Sequence, residues 1–390
     1  NTHMSNRLLR ARFVLSLTVV TLLAICGYAG GFASRLVMAQ ELPPPPGEVI
    51  IAGLNGPMGV LVGDDGAVYA VDYGLGGDLS FTASVGDSYV GPVGGGPSAQ
   101  VVKYDPADGS TRVLAMVNSY GAPDHGFSGG SRLAMIGSDL YVSVGDWLIT
   151  DGNPIDPPMA LGTIDRINDD GTTTIVFDGW AHERDHNPYG SVYHGHPFGI
   201  VGTEEGTLLV ADAGANAVLD VDPATGEATI VAVMNALPGA YPRPEYDSQL
   251  LTDPVPTSAI LHDGVIYVSL LSGVPIAPGN ARVVTVNDDG TVSDYATGLS
   301  ALTDLREAPD GNLYAVSLAA FGAQGPDPTS GAILRIGAGD TSQVVLDGLT
   351  FPTSLDFDAD GNTYITVNGL GAPGSGQVIK VAGLMEEEGT

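Results

Sequence analysis

Histidines and carboxylates are concentrated in one short stretch of this sequence. Four of the seven histidines lie in WAHERDHNPYGSVYHGHPFG, at His182, His186, His194 and His196. Glu183 and Asp185 lie between them, and imidazole with carboxylate can ligate a transition metal such as Zn²⁺ or Cu²⁺. The spacing matches no established ligand motif, so turn-stabilising and packing roles stay open beside metal binding. His196 is the best single candidate, because it directly precedes a predicted strand.

A second set of polar residues ends one predicted strand in each unit of a repeat. Its members are Asp72, Asp146, Asp212 and Asn368, with Ser269 and Ser317 at the corresponding positions of two further units. Several acids that converge could hold Ca²⁺, which takes six to eight oxygen ligands. The alternative is that each Asp caps the backbone amides of the loop that follows it. The cofactor prediction is therefore open: none, or a divalent metal such as Ca²⁺ or Zn²⁺.

Three more residues on predicted loops are candidates for ligand binding: His125, Asn187 and Trp180. Aromatic side chains near them could stack on a sugar, or could equally seal the contacts between sheets. Motifs for nucleotide binding, for a serine nucleophile, for a zinc protease and for an EF-hand are all missing from the sequence. The residues alone therefore identify no reaction.

The elements that must position these residues are predicted by an internal repeat. Each copy has a small or proline-led start, an alternating apolar strand, an Asp-Gly-type turn and a strand like Val-Tyr-Ala-Val-Asp. The six copies begin at Gly56, Ser131, His196, Val255, Leu302 and Phe351. Two further strands with period-two alternation follow each of the first five copies. Four antiparallel strands per unit predict an all-β fold, a six-bladed β-propeller.

The sixth repeat is incomplete. Its third strand, GQVIKVAGL, is followed only by the acidic end of the chain. The segment GEVIIAGL, from Gly47, has the pattern of the missing outer strand. Pairing the two segments would close the ring and remove two exposed strand edges.

Strand order predicts which face carries function. Tight turns connect the strands on one face, and the long irregular segments lie on the other, which we call the long-loop face. Those segments are 73–99, 118–128, 146–161, 179–196, 235–256 and 319–330. Long loops on a rigid scaffold are where binding residues tend to lie. We therefore expect a small molecule, a glycan or a protein partner on the long-loop face.

The N-terminus predicts the compartment. Basic residues, an apolar run and Val37-Met38-Ala39 predict a signal peptide over 1–39. We expect a Pro-rich linker at 40–47, the propeller at 48–385 and an acidic tail at 386–390, in a secreted, periplasmic or cell-envelope protein with no membrane span after cleavage. Lipidation of Cys26 and an uncleaved anchor are the alternatives.

The charge is strongly acidic. With 45 acidic and 14 basic residues the net charge is −31, which excludes nucleic acid as a partner, because phosphate backbones would be repelled. Most of the acids are Asp, and many lie in turns, where they cap the backbone.

The segments DHNPYG, HPFGIVGTEEGTLLVADAGANAVLDVDPATGE and VPTSAILHDGVIYVSLLSG together resemble the ScyD/ScyE family of exported bacterial propeller proteins. The blade motif is also similar to NHL repeats and to gluconolactonase-like propellers. The resemblance implies the fold and export, and implies no catalytic residues.

Two classes of function follow. The first, which the missing catalytic motifs favour, is a non-enzymatic binding or scaffold protein of the cell envelope or extracellular space. The second is a metal-dependent hydrolase or lactonase of the gluconolactonase-like type, with an ion polarising a carbonyl. A structural component of an extracellular assembly is a further alternative.

Overall fold

The computed structural model describes residues 43–85, 89–150, 152–243 and 247–385. The predicted signal peptide, the first residues of the linker and the acidic tail lie outside the described residues. Within these ranges no helix is long and apolar enough to cross a membrane. The described chain is nearly all β-strand, arranged in antiparallel sheets.

Strands in the first half of the chain build three sheets. The strand β1 (Glu48–Leu54) comes first. Sheet 1 follows with β2 (Pro57–Val62), β3 (Val68–Asp72), β4 (Leu79–Val85), β5 (Tyr89–Asp105), β6 (Ser110–Ala122) and β7 (Gly126–Ser128). Sheet 2 pairs β8 (Gly130–Ile136), β9 (Asp139–Val144), β11 (Thr163–Ile167) and β12 (Thr173–Asp178), with β10 (Trp147–Leu148) outside it. Helix α1 (Gly179–His186) and β13 (His194–Gly195) come next. Sheet 3 pairs β14 (Pro197–Gly202), β15 (Leu208–Asp212), β16 (Ala217–Val221) and β17 (Ala228–Val233).

The second half repeats the plan. A hairpin of β18 (Leu237–Arg243) and β19 (Gln249–Thr252) precedes sheet 4. Sheet 4 pairs β20 (Pro256–His262), β21 (Val265–Leu270), β22 (Ala281–Val286) and β23 (Val292–Leu299). Sheet 5 pairs β24 (Leu302–Glu307), β25 (Leu313–Ser317), β28 (Gly331–Arg335) and β29 (Gln343–Leu349), with the short pair β26 (Phe321–Gly322) and β27 (Gly325–Pro326) between them. Sheet 6 is β30 (Leu355–Phe357), β31 (Thr363–Val367), β32 (Gly376–Val381) and β1, since β1 pairs antiparallel with β32.

Burial differs between the strands of one sheet and explains their composition. In four of the six sheets the second strand is buried along its whole length, as in Val68–Asp72 and Leu208–Asp212. A strand covered on both faces reads as a continuous apolar run. The outermost strand β17 is mostly half-buried or exposed. The sequence therefore encodes a sheet that is covered at its second strand and open to solvent at its fourth.

Aspartates fix the tight turns. The side chain of Asp170 accepts a hydrogen bond from Thr172 N at 3.0 Å, and Asp289 accepts one from Thr291 N at the same distance. In the first of these turns Gly171, between Asp170 and Thr172, has a φ of +82°, a conformation that favours glycine. Many of the acids of this chain therefore act locally, as backbone caps.

The first strand of each sheet, called here the inner strand, contacts the inner strands of the neighbouring sheets. Inner strands β2, β8, β14, β20, β24 and β30 contact each other in that order, and β30 contacts β2. Side chains bond backbone across these contacts: Ser354 Oγ accepts from Val60 N at 3.2 Å, and Thr257 Oγ1 donates to Leu302 O at 3.1 Å. The six inner strands thus contact one another in cyclic order, and the space between them is called here the channel.

One arginine makes hydrogen bonds across that channel. Arg132, on β8, is 1 % exposed, and its guanidinium donates to the carbonyl oxygens of Met58, Thr303 and Thr353, which come from three other sheets. Its Nε lies 3.6 Å from Asp304 Oδ2, and its flat face lies 4.4 Å from the ring centroid of Phe198. Burial lowers the pKa of Arg132 to about 10, so the group is charged at neutral pH.

The expectation that the loop segments are irregular is wrong for several of them. Within 73–99 the strand β4 pairs with an extension of β5, and 235–256 contains the β18–β19 hairpin. The segment 179–196 begins with helix α1, because Asp178 caps it by accepting a hydrogen bond from Ala181 N, and no proline or internal glycine interrupts WAHERDH.

Replacing Arg132 with Met is expected to lower the free energy of unfolding by about 3–5 kcal/mol, because the buried Asp304 carboxylate loses a compensating charge. Urea unfolding followed by circular dichroism measures the change. In the double variant Arg132→Met/Asp304→Asn the loss should be smaller than the sum of the single losses. Strictly additive losses would show that the two charges are not coupled.

Candidate functional site

Three of the predicted candidates meet on the long-loop side of sheets 2 and 3. Asp146 follows strand β9, His194 lies in β13, and His196 immediately precedes β14. The short strands β10 and β13 pair, with Trp147 opposite Gly195 and Leu148 opposite His194. This pairing brings the residue before β10, Asp146, beside the residues of β13.

Asp146 is held at both carboxylate oxygens. Its Oδ2 lies 2.9 Å from His194 Nε2, and its Oδ1 accepts from Ser128 Oγ at 2.6 Å and from Tyr120 OH at 2.9 Å. One ligand atom each of Asp146, His194 and His196 lies within 4.8 Å of the others. The exposed fractions of these three residues are 0 %, 3 % and 3 %. We call this group the DHH cluster.

The ring of His196 stands apart in its hydrogen bonding. Both ring nitrogens are buried, and neither has a hydrogen-bond partner among the residues that the structure describes. The ring stands edge-on to Phe198, with centroids 5.3 Å apart, and lies 6.2 Å from the ring of His194. Buried polar atoms are nearly always paired, so an imidazole unpaired at both nitrogens is a candidate to bind a metal or another partner.

The protonation states suit a metal. Burial lowers the pKa of His196 to about 4, so its imidazole is neutral at pH 7. Burial alone would raise the pKa of Asp146, but the hydrogen bond with His194 and the nearby His196 hold it below its ordinary value. An aspartate binds a metal as the ionised carboxylate, and a histidine binds it as the neutral imidazole. Two nitrogens and one oxygen fit Zn²⁺ or a similar transition metal and do not fit Ca²⁺, which takes oxygen ligands.

Two further carboxyl groups, those of Asp212 and Glu183, lie against the cluster. Asp212 Oδ1 accepts from the backbone N–H groups of His196, Gly214 and Ala215, at 2.8, 3.1 and 2.9 Å, and burial raises its pKa to about 6. Asp212 is thus a backbone cap that fixes the start of β14.

Glu183, on α1, is 1 % exposed. Burial, with a smaller contribution from the charge of Asp212, raises its pKa to about 9, so the group is neutral at pH 7. Its Oε1 accepts from His194 N at 3.5 Å, and its Oε2 is buried without a partner. The helix therefore places an uncharged acid directly behind a histidine of the DHH cluster.

The other two predicted histidine ligands lie outside the cluster. His182 and His186 are on α1, with ring centroids 4.3 Å apart, and His186 Nδ1 lies 2.9 Å from His182 O. His182 also packs against Phe177. The four histidines thus separate into a buried pair, His194 and His196, and a pair on the helix.

The remaining candidates are placed singly. Asp72 accepts from Asn55 N and Gln100 N, which is a capping arrangement, and burial raises its pKa to about 6. His125 stacks on Tyr89 with centroids 3.8 Å apart.

Trp180 and Asn187 border the two ends of α1. Trp180 is buried, and its Nε1 donates to Asp156 Oδ1 at 3.1 Å. Asn187 caps the C-terminus of α1 with a φ of +39°, and its Nδ2 donates to Ser191 O. Both residues therefore hold the segment that leads to His194.

Sequence reasoning did not identify Tyr120 or Ser128 as site residues, and it considered Glu183 only as a carboxylate lying between the histidines. Tyr120 and Ser128 belong to β6 and β7 of sheet 1, so they reach Asp146 from a different repeat. No motif marks them. The position of Glu183 between His182 and His186 was a signal, and only the helix shows that its side chain turns inward.

The unfolding free energy of the protein, measured with urea in the presence of EDTA, should fall as the pH rises from about 5 to about 9. The folded state keeps the Glu183 proton up to about pH 9, whereas the unfolded chain releases it near its ordinary value of 4.5. The unfolded state therefore binds fewer protons in this window. The Glu183→Gln variant lacks this proton and should give a flatter profile; parallel profiles would show that Glu183 is ionised in the fold.

Part of the chain resembles a known protein family. Residues 192–372 match the family described as the SMP-30/gluconolactonase/LRE-like region. Among curated proteins, no sequence matches this chain.

Solved structures that resemble the chain include a virginiamycin B lyase from Staphylococcus aureus (12 % identity, 84 % of this chain and 85 % of that one, TM-score 0.45). A Bacteroides thetaiotaomicron protein of unknown function is 13 % identical over 86 % of this chain and 73 % of that one, with a TM-score of 0.49. A gluconolactonase from Xanthomonas campestris is 14 % identical over 87 % of this chain and 89 % of that one, with a TM-score of 0.39. The family match includes His194 and His196, and it supports a relationship to SMP-30/gluconolactonase-type proteins over that part of the chain.

Proposed function

We propose that the protein is a metal-dependent hydrolase acting on a lactone or a related ester, with Asp146, His194 and His196 as the metal ligands. The observation that carries the proposal is the buried, neutral imidazole of His196, which has no partner and lies beside an ionised carboxylate and a second histidine. The family match over residues 192–372 supports the lactonase type of chemistry.

The surrounding residues have roles in this proposal. Ser128 and Tyr120 donate to Asp146 Oδ1 and so orient its other oxygen toward the histidines. Such outer partners fix the geometry of metal ligands. Three protein ligands leave one position for water or substrate in a tetrahedral site. A bound divalent metal would polarise a carbonyl oxygen and lower the pKa of bound water.

The scaffold in this proposal is a closed six-bladed propeller of an exported, ScyD/ScyE-like protein. The cyclic contacts of the inner strands and the pairing of β1 with β32 support the closed ring. Export rests on the N-terminal sequence, and the ScyD/ScyE relationship rests on the motifs quoted above.

One observation favours a second candidate. The three residues of the DHH cluster are almost wholly buried, with α1 and the segment after it beside them. A metal enclosed in this way could fix the long-loop face of a non-enzymatic binding or scaffold propeller for a small molecule, a glycan or a protein. In that case metal removal lowers stability, and no substrate is hydrolysed.

The test is elemental analysis of protein purified without chelator, combined with a lactone and ester hydrolysis screen. We expect one transition metal per chain, lost in His196→Ala and in Asp146→Asn together with activity, and retained in the control His262→Ala, whose histidine lies on another sheet. Ser128→Ala should weaken metal affinity about 10- to 100-fold. Metal without turnover would favour the binding protein, and metal-free, active protein would contradict the proposed site.

A further inference from the structure

A cavity lies at the other end of the channel, where the inner strands run into the tight turns. Its volume is about 270 Å³. The residues around it come from sheets 1, 2, 3 and 5 and include Leu61, Asp64, Met135, Val201, Gly202 and Arg306. Asp64 is the acid of this lining and is exposed to solvent, whereas the buried Arg306 is its cationic group.

Arg306 is 7 % exposed, and its guanidinium is poorly satisfied. Its Nε is buried without a hydrogen-bond partner, and the carboxylate oxygen nearest to it, Asp304 Oδ1, is 3.7 Å away. Within the described residues no hydrogen bond from this guanidinium is found. A buried charged donor without an acceptor costs free energy.

The neighbouring carboxylates are engaged elsewhere. Asp304 Oδ1 accepts from Leu305 N, and its Oδ2 accepts from Ser354 Oγ at 2.6 Å. Asp356 accepts from Val62 N at 2.7 Å and from Phe357 N at 3.0 Å. Both acids balance the charges of Arg132 and Arg306, yet neither meets the hydrogen-bonding needs of Arg306.

The chemistry of the cavity selects the ligand. A guanidinium offers a planar fork of donors that matches a carboxylate. Aliphatic side chains such as Leu61 and Val201 suit an apolar body attached to that group. The net charge of −31 opposes ligands with several negative charges.

We propose that this cavity, called here the turn-side pocket, binds a small molecule with a single carboxylate, which Arg306 holds. The pocket is separate from the DHH cluster, because Arg132 crosses the channel between them: Phe198 packs on Arg132, while Val201, three residues further along β14, lines the pocket. The proposal therefore does not depend on the proposed hydrolase.

The test is isothermal titration calorimetry with benzoate, with acetate, and with benzamide, which has nearly the shape of benzoate but no charge. We expect one benzoate per chain, with benzamide binding about tenfold or more weakly, since a charged hydrogen bond contributes more than about 1.4 kcal/mol. EDTA-treated protein should bind benzoate equally well, which separates this site from the metal site.

Variants locate the binding. Arg306→Gln should weaken benzoate binding about tenfold or more. Because Arg306 also balances two buried acids, Val201→Phe provides a second variant: it fills the pocket, leaves the charges in place and should abolish binding. Arg335→Gln, at an exposed arginine that bonds Gln343, is the matched control and should bind as the wild type does.

Three results would overturn the proposal: no binding of either carboxylate to the folded wild type, equal affinity for benzoate and benzamide, or unchanged binding in folded Val201→Phe.

Discussion

The inner strand of each sheet has one edge without a strand partner, and this constraint organises the molecule. Backbone N–H and C=O groups on such an edge are buried in the channel and must be hydrogen-bonded. Short polar side chains do this: Ser354 Oγ, next to β30, accepts from Val60 N, and Thr353 Oγ1 donates to Pro57 O. Ser143 Oγ, on the second strand β9, donates to Phe198 O. Arg132 serves three carbonyl oxygens at once. Polar side chains therefore satisfy the backbone groups that line the channel, although the strands themselves are largely apolar.

This wall also determines where chemistry can occur. Arg132 bonds across the channel between the DHH cluster on the long-loop side and the turn-side pocket. On the long-loop side the DHH cluster is enclosed beside α1, and the two ring nitrogens of His196 have no partner among the described residues. On the turn side the buried Nε of Arg306 has no hydrogen-bond partner among the described residues, although Asp304 Oδ1 lies 3.7 Å from it. These unpaired atoms underlie the two proposals, a metal ion at the DHH cluster and a carboxylate in the turn-side pocket.

The repeat made most of the sheets predictable, because Asp-Gly turns and alternating strands are local signals. The positions of α1 and the added hairpins were less predictable. Helix α1 depends on a cap by Asp178. Strand β4 extends sheet 1 by pairing with the first half of β5, whose many glycines are more typical of a loop than of a strand.

For the site, Asp146, His194 and His196 could each be selected by residue type, but their meeting could not be derived. It depends on a pairing of two residues on each strand, β10 with β13, which is too short to leave a pattern in the sequence. The contribution of Tyr120 and Ser128 crosses from one repeat to the next, and no spacing rule records that contact. Asp72 and Asp212 took the simpler role of backbone caps, which the sequence left open.

Sheet 6 joins the two ends of the described chain: Gly374 N donates to Asn55 Oδ1, 319 residues earlier. A nascent chain emerges N-terminal end first, and pairing over such a separation is slow because a long loop must close. Strand β1, which is largely apolar, therefore stays unpaired until its partner β32 has been synthesised. A protein assembled in this order needs its first strand protected during synthesis, and a truncation of even the last dozen described residues would leave both β1 and β31 with open edges.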